Sequence, residues 1–131
     1  MKNYELISLG NALSKTKVGS LSNENLRKYL RLMIEYNKVN AEFDEKRRTL
    51  ATETLKTKGF DAEKLTPEQE AEVVSIISPI LDEYALADVD VPTKFLTWDE
   101  LYDSILSNSE NNSIDVNTKS MITSFLCSED V

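Results

Sequence analysis

The stretch YLRLMIEYNKVNAEFDEKRRTL, from Tyr29 to Leu50, carries an aromatic or aliphatic residue at every seventh position: Tyr29, Tyr36, Phe43 and Leu50. This spacing places the four side chains along one side of a long α-helix, in a coiled-coil-like stripe. The residues up to Phe43 are rich in apolar groups, whereas those after it are mostly charged. The stretch therefore predicts a helix whose first half packs against an apolar surface and whose second half faces water.

Local signals predict where this helix begins and ends. Ser22 is placed to accept a hydrogen bond from a free amide of the first turn. Lys56 and Lys58 suit the negative end of the helix, and Gly59 can adopt the left-handed conformation that closes it. These signals predict one helix over residues 23–58, about 35 residues and roughly three times the usual helix length.

A second helix is predicted over residues 66–87. Thr66 and Gln69 form a capping box, and Pro67 suits the first helical position. Pro79 predicts a kink, or a break after which Ser78 caps a fresh helix. Because the loop between the two capped helices is short, we expect them to be antiparallel neighbours.

The flanking segments are predicted to be shorter elements. Residues 1–22 fit either a strand, from the alternation of Tyr4 and Leu6, or a helix, from the spacing of three leucines, and we expect a short strand that passes into a helical turn. Residues 88–96 alternate in polarity before a proline, which predicts an extended or β strap. Residues 97–131 predict short helices around a polar loop, 107–116. The fold class is mainly α, a long antiparallel helical hairpin in a single domain, 1–131.

Charge divides the chain into two halves. Residues 1–58 contain twelve Lys or Arg and seven Asp or Glu, a net charge of +5, whereas residues 59–131 contain three and sixteen, a net charge of −13. If the halves face each other, the acids that start the second helix pair with the basic end of the first. If they do not, the acidic half is a surface that repels nucleic acid and suits a basic partner.

Composition argues against an enzyme. The chain has no histidine, one cysteine (Cys127) and three glycines, none of which lies in a phosphate-binding motif. The usual general base and the commonest zinc ligand are therefore absent, and we predict no catalytic residue, no cofactor and no metal site. Asp88 and Asp90 could share a strand face and hold a cation, but a solvated face is the simpler interpretation. The loop after Asn108 lacks the glycine and the glutamate of a calcium loop.

Targeting signals are also lacking in the sequence. No apolar run is long enough to span a bilayer, and the first fifteen residues are too polar for a signal-peptide core, so we expect a cytoplasmic protein without a membrane partner. The single basic cluster, residues 45–48, does not predict nucleic-acid binding in a chain of net charge −8. No small-molecule substrate is implied.

The remaining hypothesis is contact with protein. The second helix covers only part of the first, so another element must cover the apolar half from Leu26 to Phe43. The N-terminal segment and the terminal helices of the same chain could do so, but we expect a neighbouring chain, either a second copy or another protein. The candidate contact residues are Leu26, Tyr29, Leu30, Met33, Tyr36, Phe43, Trp98 and Phe125.

The order of NYELISLGNALSK, a long charged helix pair, and VDVPTKFLTWDEL before a small amphipathic terminus resembles that of small phage- and prophage-encoded helical proteins of uncharacterised function. The resemblance implies a non-enzymatic role in a virus. It suggests a virion or assembly accessory protein, located in the host cytoplasm or in the virion. The alternatives are an acidic inhibitor of a host defence or nucleic-acid-handling protein and a small carboxylate-metal enzyme.

Overall fold

In the computed structural model, residues 1–129 are described. The chain forms five α-helices: α1 (Asn3–Ser14), α2 (Asn23–Lys58), α3 (Pro67–Ala85), α4 (Trp98–Leu101) and α5 (Val116–Leu126). One π-helical turn, Tyr102–Leu106, continues α4, and two 3-10 turns lie at Ala62–Lys64 and Ser109–Asn111. The expected fold class, a mainly α protein built on a long helical hairpin, is confirmed.

The ends of α2 lie where the sequence predicts them. The Asn25 amide donates to Ser22 Oγ (3.3 Å) at the start. At the end, Gly59 has a φ of 70°, and the Phe60 amide donates to the Leu55 carbonyl at 3.0 Å. This closing pattern satisfies carbonyls that the helix itself leaves without a partner, so the helix stops cleanly.

Helix α3 begins as predicted but is not broken. Thr66 and Gln69 bond reciprocally through side chain and backbone, at 3.1 and 3.2 Å. The helix then continues through Pro79 to Ala85, so Ser78 does not cap a fresh helix. Pro79 is exposed, which leaves its ring on the side where water can reach the carbonyl that lacks an amide partner. A kink at this position stays a prediction.

The N-terminal segment differs from the expected strand. Residues from Asn3 onward form α1, and only Lys2 makes a β-bridge, to Asp88. Burial explains the outcome: Leu6, Leu9 and Leu13 lie on one side of a helix and are 0, 0 and 2% exposed. A strand would bury only every second residue, so the helical spacing of the leucines outweighs the local alternation.

The extended segment between α3 and α4 is fixed at both ends. The Val89 amide donates to the Met1 carbonyl (2.8 Å), and the Leu96 amide donates to the Leu126 carbonyl (2.9 Å). Isolated bridges, Lys2 with Asp88 and Leu96 with Cys127, mark the same two places. The segment therefore ties the N-terminus to the end of α5 without forming a sheet in the described chain.

Burial is distributed unevenly between two regions. We call residues 44–77, the outer halves of α2 and α3 with their connection, the arm, and the other described residues, 1–43 and 78–129, the head. In the arm only Val73 and Ile77 are buried. The head contains the core, where α1 lies between α2 and α5, and its buried apolar side chains are Leu6, Leu9, Leu13, Leu32, Tyr36, Val39, Leu96, Leu101, Ile105, Ile122, Leu126 and Cys127.

Candidate protein-contact surface

Tyr36, the second residue of the seven-residue stripe of α2, packs against α1 of the same chain. Tyr36 is 7% exposed, and Gly10 of α1 lies so close that a β-carbon there would overlap the Tyr36 ring. The Tyr36 hydroxyl donates to Asn11 Oδ1 at 2.5 Å. Helix α1 of the same chain therefore covers α2 at Tyr36, whereas contact of a neighbouring chain with the exposed residues Leu26 and Leu30 stays a prediction.

The eight predicted contact residues separate by exposure. Tyr36 is buried in the core and leaves the candidate surface. Four others are half-buried: Tyr29, Met33, Phe43 and Phe125. Burial raises the pKa of Tyr29, as expected for a phenol that is partly withdrawn from water. Three remain on the surface, Leu26, Leu30 and Trp98, with 41, 50 and 36% of their area exposed.

Ile34, which was not among the predicted contact residues, forms an exposed apolar surface together with Leu26 and Leu30. It is 66% exposed and follows Leu26 and Leu30 at intervals of four residues, so the three side chains lie on successive turns. We call these three residues the α2 face. Exposed Arg27 and Lys38 accompany them on the helix, so this face is both apolar and basic. The seven-residue spacing did not identify Ile34, because it follows the side of α2 that faces the core and Ile34 lies on a different side.

A second apolar surface lies on α3. Ile76 and Ile80 are 37 and 40% exposed, although Val73 and Ile77 beside them are buried. The apolar side of α3 is wider than the single neighbour α2 can cover. We call Ile76 and Ile80 the α3 face. Glu72, four residues before Ile76, and Glu83, three residues after Ile80, lie next to it. Glu72 pairs with Lys58, whereas Glu83 forms no ion pair in the described chain.

Charges pair across the hairpin at only one of the predicted places. Lys58 Nζ lies 3.0 Å from a Glu72 carboxylate oxygen. The two arginines of the basic end pair within α2 instead: the guanidinium groups of Arg47 and Arg48 lie 2.6 and 2.8 Å from carboxylate oxygens of Asp44. An acid three or four residues earlier on the same helix is the nearest partner, which explains the difference. The cations at the basic end of α2 therefore pair more with acids of α2 than with acids of α3.

Tyr84 fixes the position of α3 where head and arm meet. Its ring centroid lies 6.0 Å from that of Phe43, and its hydroxyl donates to a Glu42 carboxylate oxygen at 3.0 Å. Burial, and then the Glu42 carboxylate, raise the pKa of Tyr84 to about 12. Lys46 Nζ lies 5.9 Å from the same ring. This cluster is the main side-chain junction between the hairpin helices at their head end.

Two acidic or amide-rich segments have structural roles here. Asp88 pairs with Lys2 Nζ at 2.8 Å, and the Lys2 side chain lowers the pKa of that carboxyl.

Asn111 is 1% exposed; its Nδ2 donates to the carbonyls of Lys17 (2.7 Å) and Ile105 (2.9 Å), and its Oδ1 accepts from the Lys17 amide (2.8 Å). A single Asn thus joins the polar loop to the segment after α1, which no sequence signal indicated.

Two kinds of feature are absent from residues 1–129. No cluster of three or more potential metal-ligating side chains occurs in this part of the chain. No helix in it is long and apolar enough to cross a membrane. Comparison with protein-family models, with curated proteins and with solved structures finds no match to this chain. The α2 face and the α3 face are candidate functional surfaces because their aliphatic side chains are exposed.

Proposed function

We propose that this protein is a non-enzymatic protein-protein interaction module that self-associates through the α2 face and the α3 face. The observation that supports this proposal is the α2 face itself: three large aliphatic side chains on successive turns, 41 to 66% exposed, on a helix that already has a filled core side. A side of a helix that contacts only water usually carries polar residues. Aliphatic side chains grouped in this way are typical of contact sites.

Charge suggests which surface each face contacts. Lys38 beside the α2 face pairs with Glu35 (4.0 Å), and Glu72 beside the α3 face pairs with Lys58 (3.0 Å). Within the described chain, Arg27 beside the α2 face and Glu83 beside the α3 face form no ion pair, so these two charges are open to another copy. Two α2 faces would bring like charges together, whereas an α2 face against the α3 face of another copy brings opposite charges together. The contact we propose is therefore between unlike faces. Each added copy then leaves one free face of each kind, so association continues into a ring or a filament.

A single contact of this kind is weak. Burying the exposed half of each Leu or Ile side chain contributes roughly 1 kcal/mol, so the five aliphatic side chains of the two faces supply about 5 kcal/mol. Association costs at least about 4 kcal/mol in lost translational and rotational freedom. One contact alone is therefore transient, and repeated contacts in an assembly are needed for stability. This behaviour suits an assembly accessory protein of the phage type, the role that the order of segments suggests.

Two variants test the proposal. The first, Leu30→Glu with Ile34→Glu, removes the α2 face; the second, Ile76→Glu with Ile80→Glu, removes the α3 face. Light scattering coupled to size-exclusion chromatography is measured over rising protein concentration. We expect wild type to form species larger than a dimer and each variant alone to stay monomeric. A one-to-one mixture contains one intact pair of faces, and because one such contact is transient, we expect a heterodimer that chemical crosslinking captures and that neither variant alone gives.

Val116→Glu is the matched control, because Val116 is 80% exposed and belongs to neither face. Circular dichroism melts establish that each variant is folded before its mass is interpreted. A wild type that is monomeric at every concentration contradicts self-association. A mixture that gives no crosslinked heterodimer, while wild type associates, contradicts the contact between unlike faces.

A second candidate, an acidic inhibitor of a host protein, is favoured by the end of the arm. Asp61, Glu63, Glu68 and Glu70 are all exposed there. Such a surface suits a basic, nucleic-acid-handling partner. Complex formation with a purified basic protein that is lost at high salt and on Glu68→Gln with Glu70→Gln supports this candidate. Unchanged binding by that variant contradicts it.

A further inference from the structure

A basic groove lies between α2 and the extended segment. Its cavity volume is about 360 Å³, and it is open to solvent. Three cationic side chains line it: Lys28, Arg31 and Lys94. The carboxylate of Asp90 and the hydroxyl of Thr93 also lie in the lining. The groove thus carries a net charge of +2 in a chain whose net charge is −8. None of its lining residues belongs to the α2 face or the α3 face.

Asp90 is the one carboxylate in the lining of the groove, and it forms no ion pair with the three cations in the described chain. Lys28 Nζ lies 3.4 Å from Glu24, an exposed pair on one helix that contributes little to stability. Within the described chain, neither Arg31 nor Lys94 forms an ion pair. Arg31 and Lys28 are three residues apart, so both project from one side of α2. A guanidinium, two ammonium groups and a hydroxyl are the donors that phosphate-type oxyanions bind.

The backbone of Lys94 is strained. Its φ is 51°, the one positive φ of a non-glycine residue in the described chain. The left-handed conformation is unfavourable for a residue with a β-carbon, and glycine avoids that cost. The Lys94 amide donates to the Phe125 carbonyl at 2.8 Å, which holds the residue in this conformation. Strained residues of this kind cluster at binding sites, where the conformation places the side chain.

We propose that this groove binds a small phosphate-class oxyanion, with Arg31 and Lys94 as its principal ligands and Lys28 and Thr93 as further donors. The size of the anion follows from charge. The net charge of −8 opposes the binding of a long polyanion, whereas a single compact dianion needs only the local positive field of the groove. The shared chemistry is a tetrahedral oxyanion, either free or as the phosphate monoester of a small molecule.

Isothermal titration calorimetry of the full chain tests the site. Inorganic phosphate, sulfate and glycerol 3-phosphate are titrated in a buffer without phosphate, against sodium chloride at equal ionic strength. We expect saturable one-to-one binding of phosphate and sulfate and none of chloride. Comparable binding of glycerol 3-phosphate supports the site and shows that it accepts an ester. Binding of the inorganic anions alone supports it and restricts the ligand to the free ion.

Four variants separate binding from general charge effects. Arg31→Gln and Lys94→Gly each weaken phosphate binding about tenfold, as expected for loss of a charge-assisted hydrogen bond, and Asp90→Asn strengthens it. Lys94→Gly also melts no lower than wild type without phosphate, because glycine relieves the strain. Lys56→Gln, the same loss of charge in the arm, leaves binding unchanged.

Three outcomes overturn the proposal. The first is the absence of saturable phosphate binding by the folded wild type. The second is a Lys56→Gln variant that loses as much affinity as Lys94→Gly, which makes the effect one of overall charge. The third is tighter binding of duplex DNA than of phosphate at equal ionic strength, which indicates a polyanion surface instead of a small-anion site.

Discussion

Head and arm use the same helix in opposite ways. In the head, α2 packs on α1 at Tyr36, and α1 in turn contacts α3 and α5. In the arm, α2 has only α3 beside it, and only two side chains between residues 44 and 77 are buried. The same helical periodicity therefore produces a core in one place and a largely wet two-helix projection in the other. The difference comes from the number of neighbouring elements.

Leu32 and Leu50 test this comparison directly. They are eighteen residues apart, or five turns, so they point in the same direction from one helix. Leu32 is 0% exposed, whereas Leu50 is half-buried. We expect Leu32→Ala to lower the free energy of unfolding by about 2 to 5 kcal/mol and Leu50→Ala by roughly 1 kcal/mol. Urea unfolding followed by circular dichroism measures both, and equal losses would falsify the division into head and arm.

Gly10 tests how tightly the head is packed. A β-carbon at this position overlaps the Tyr36 ring, so we expect Gly10→Ala to cost about 1 to 3 kcal/mol despite the better helix propensity of alanine. The same unfolding assay measures it. Adding Tyr36→Ala removes the overlap, so the double variant should be more stable than the sum of the single losses indicates. Strict additivity of the two losses contradicts the contact.

Gly59 tests the arm. Its φ is 70°, and a β-carbon there meets nothing within 4 Å, so the cost of Gly59→Ala is conformational only, roughly 1 kcal/mol. Asparagine tolerates this conformation better and serves as the matched control. We expect hydrogen exchange to accelerate in residues 50–70 and to stay unchanged in α1 and α5. Uniform acceleration would show that arm and head open together.

Local signals predicted the hairpin well. Ser22 and Gly59 decide the bounds of α2, and Thr66 and Pro67 decide the start of α3, because each acts on its own few residues. The N-terminal segment could not be predicted in this way. Tyr4 and Leu6 fit a strand locally, and only packing of the three leucines on α2 favours the helix. Contacts between distant segments therefore decide what local pattern leaves open.

The candidate sites were predicted only in part, for the same reason. Leu26 and Leu30 were identified, but the choice of the seven-residue stripe placed Tyr36 among the contact residues and left Ile34 out. Which side of a helix faces its own core depends on elements elsewhere in the chain. The basic groove joins Arg31 to Lys94, more than sixty residues later. No spacing rule connects positions so far apart without a known motif.

Ionisation of Tyr84 should loosen the arm before the head, and this is the smallest effect we expect. Its pKa in the folded protein, about 12, lies above the ordinary tyrosine value of about 10, so the fold favours the neutral phenol. The stabilisation is complete below pH 10 and is lost as the pH rises through 12. Tyr84 is only half-buried, so solvent screening keeps the change small.

Two signals separate the regions in this experiment. Ellipticity reports helix throughout the chain, whereas the fluorescence of Trp98, the single tryptophan, reports the head. Because Tyr84 joins α3 to Glu42 and Phe43, we expect ellipticity to fall before the fluorescence changes as the pH rises from 10 to 12. Tyr84→Phe cannot ionise and should show a shallower loss of ellipticity over the same range. Coincident transitions in wild type, unchanged by that substitution, would mean that Tyr84 does not hold the arm to the head.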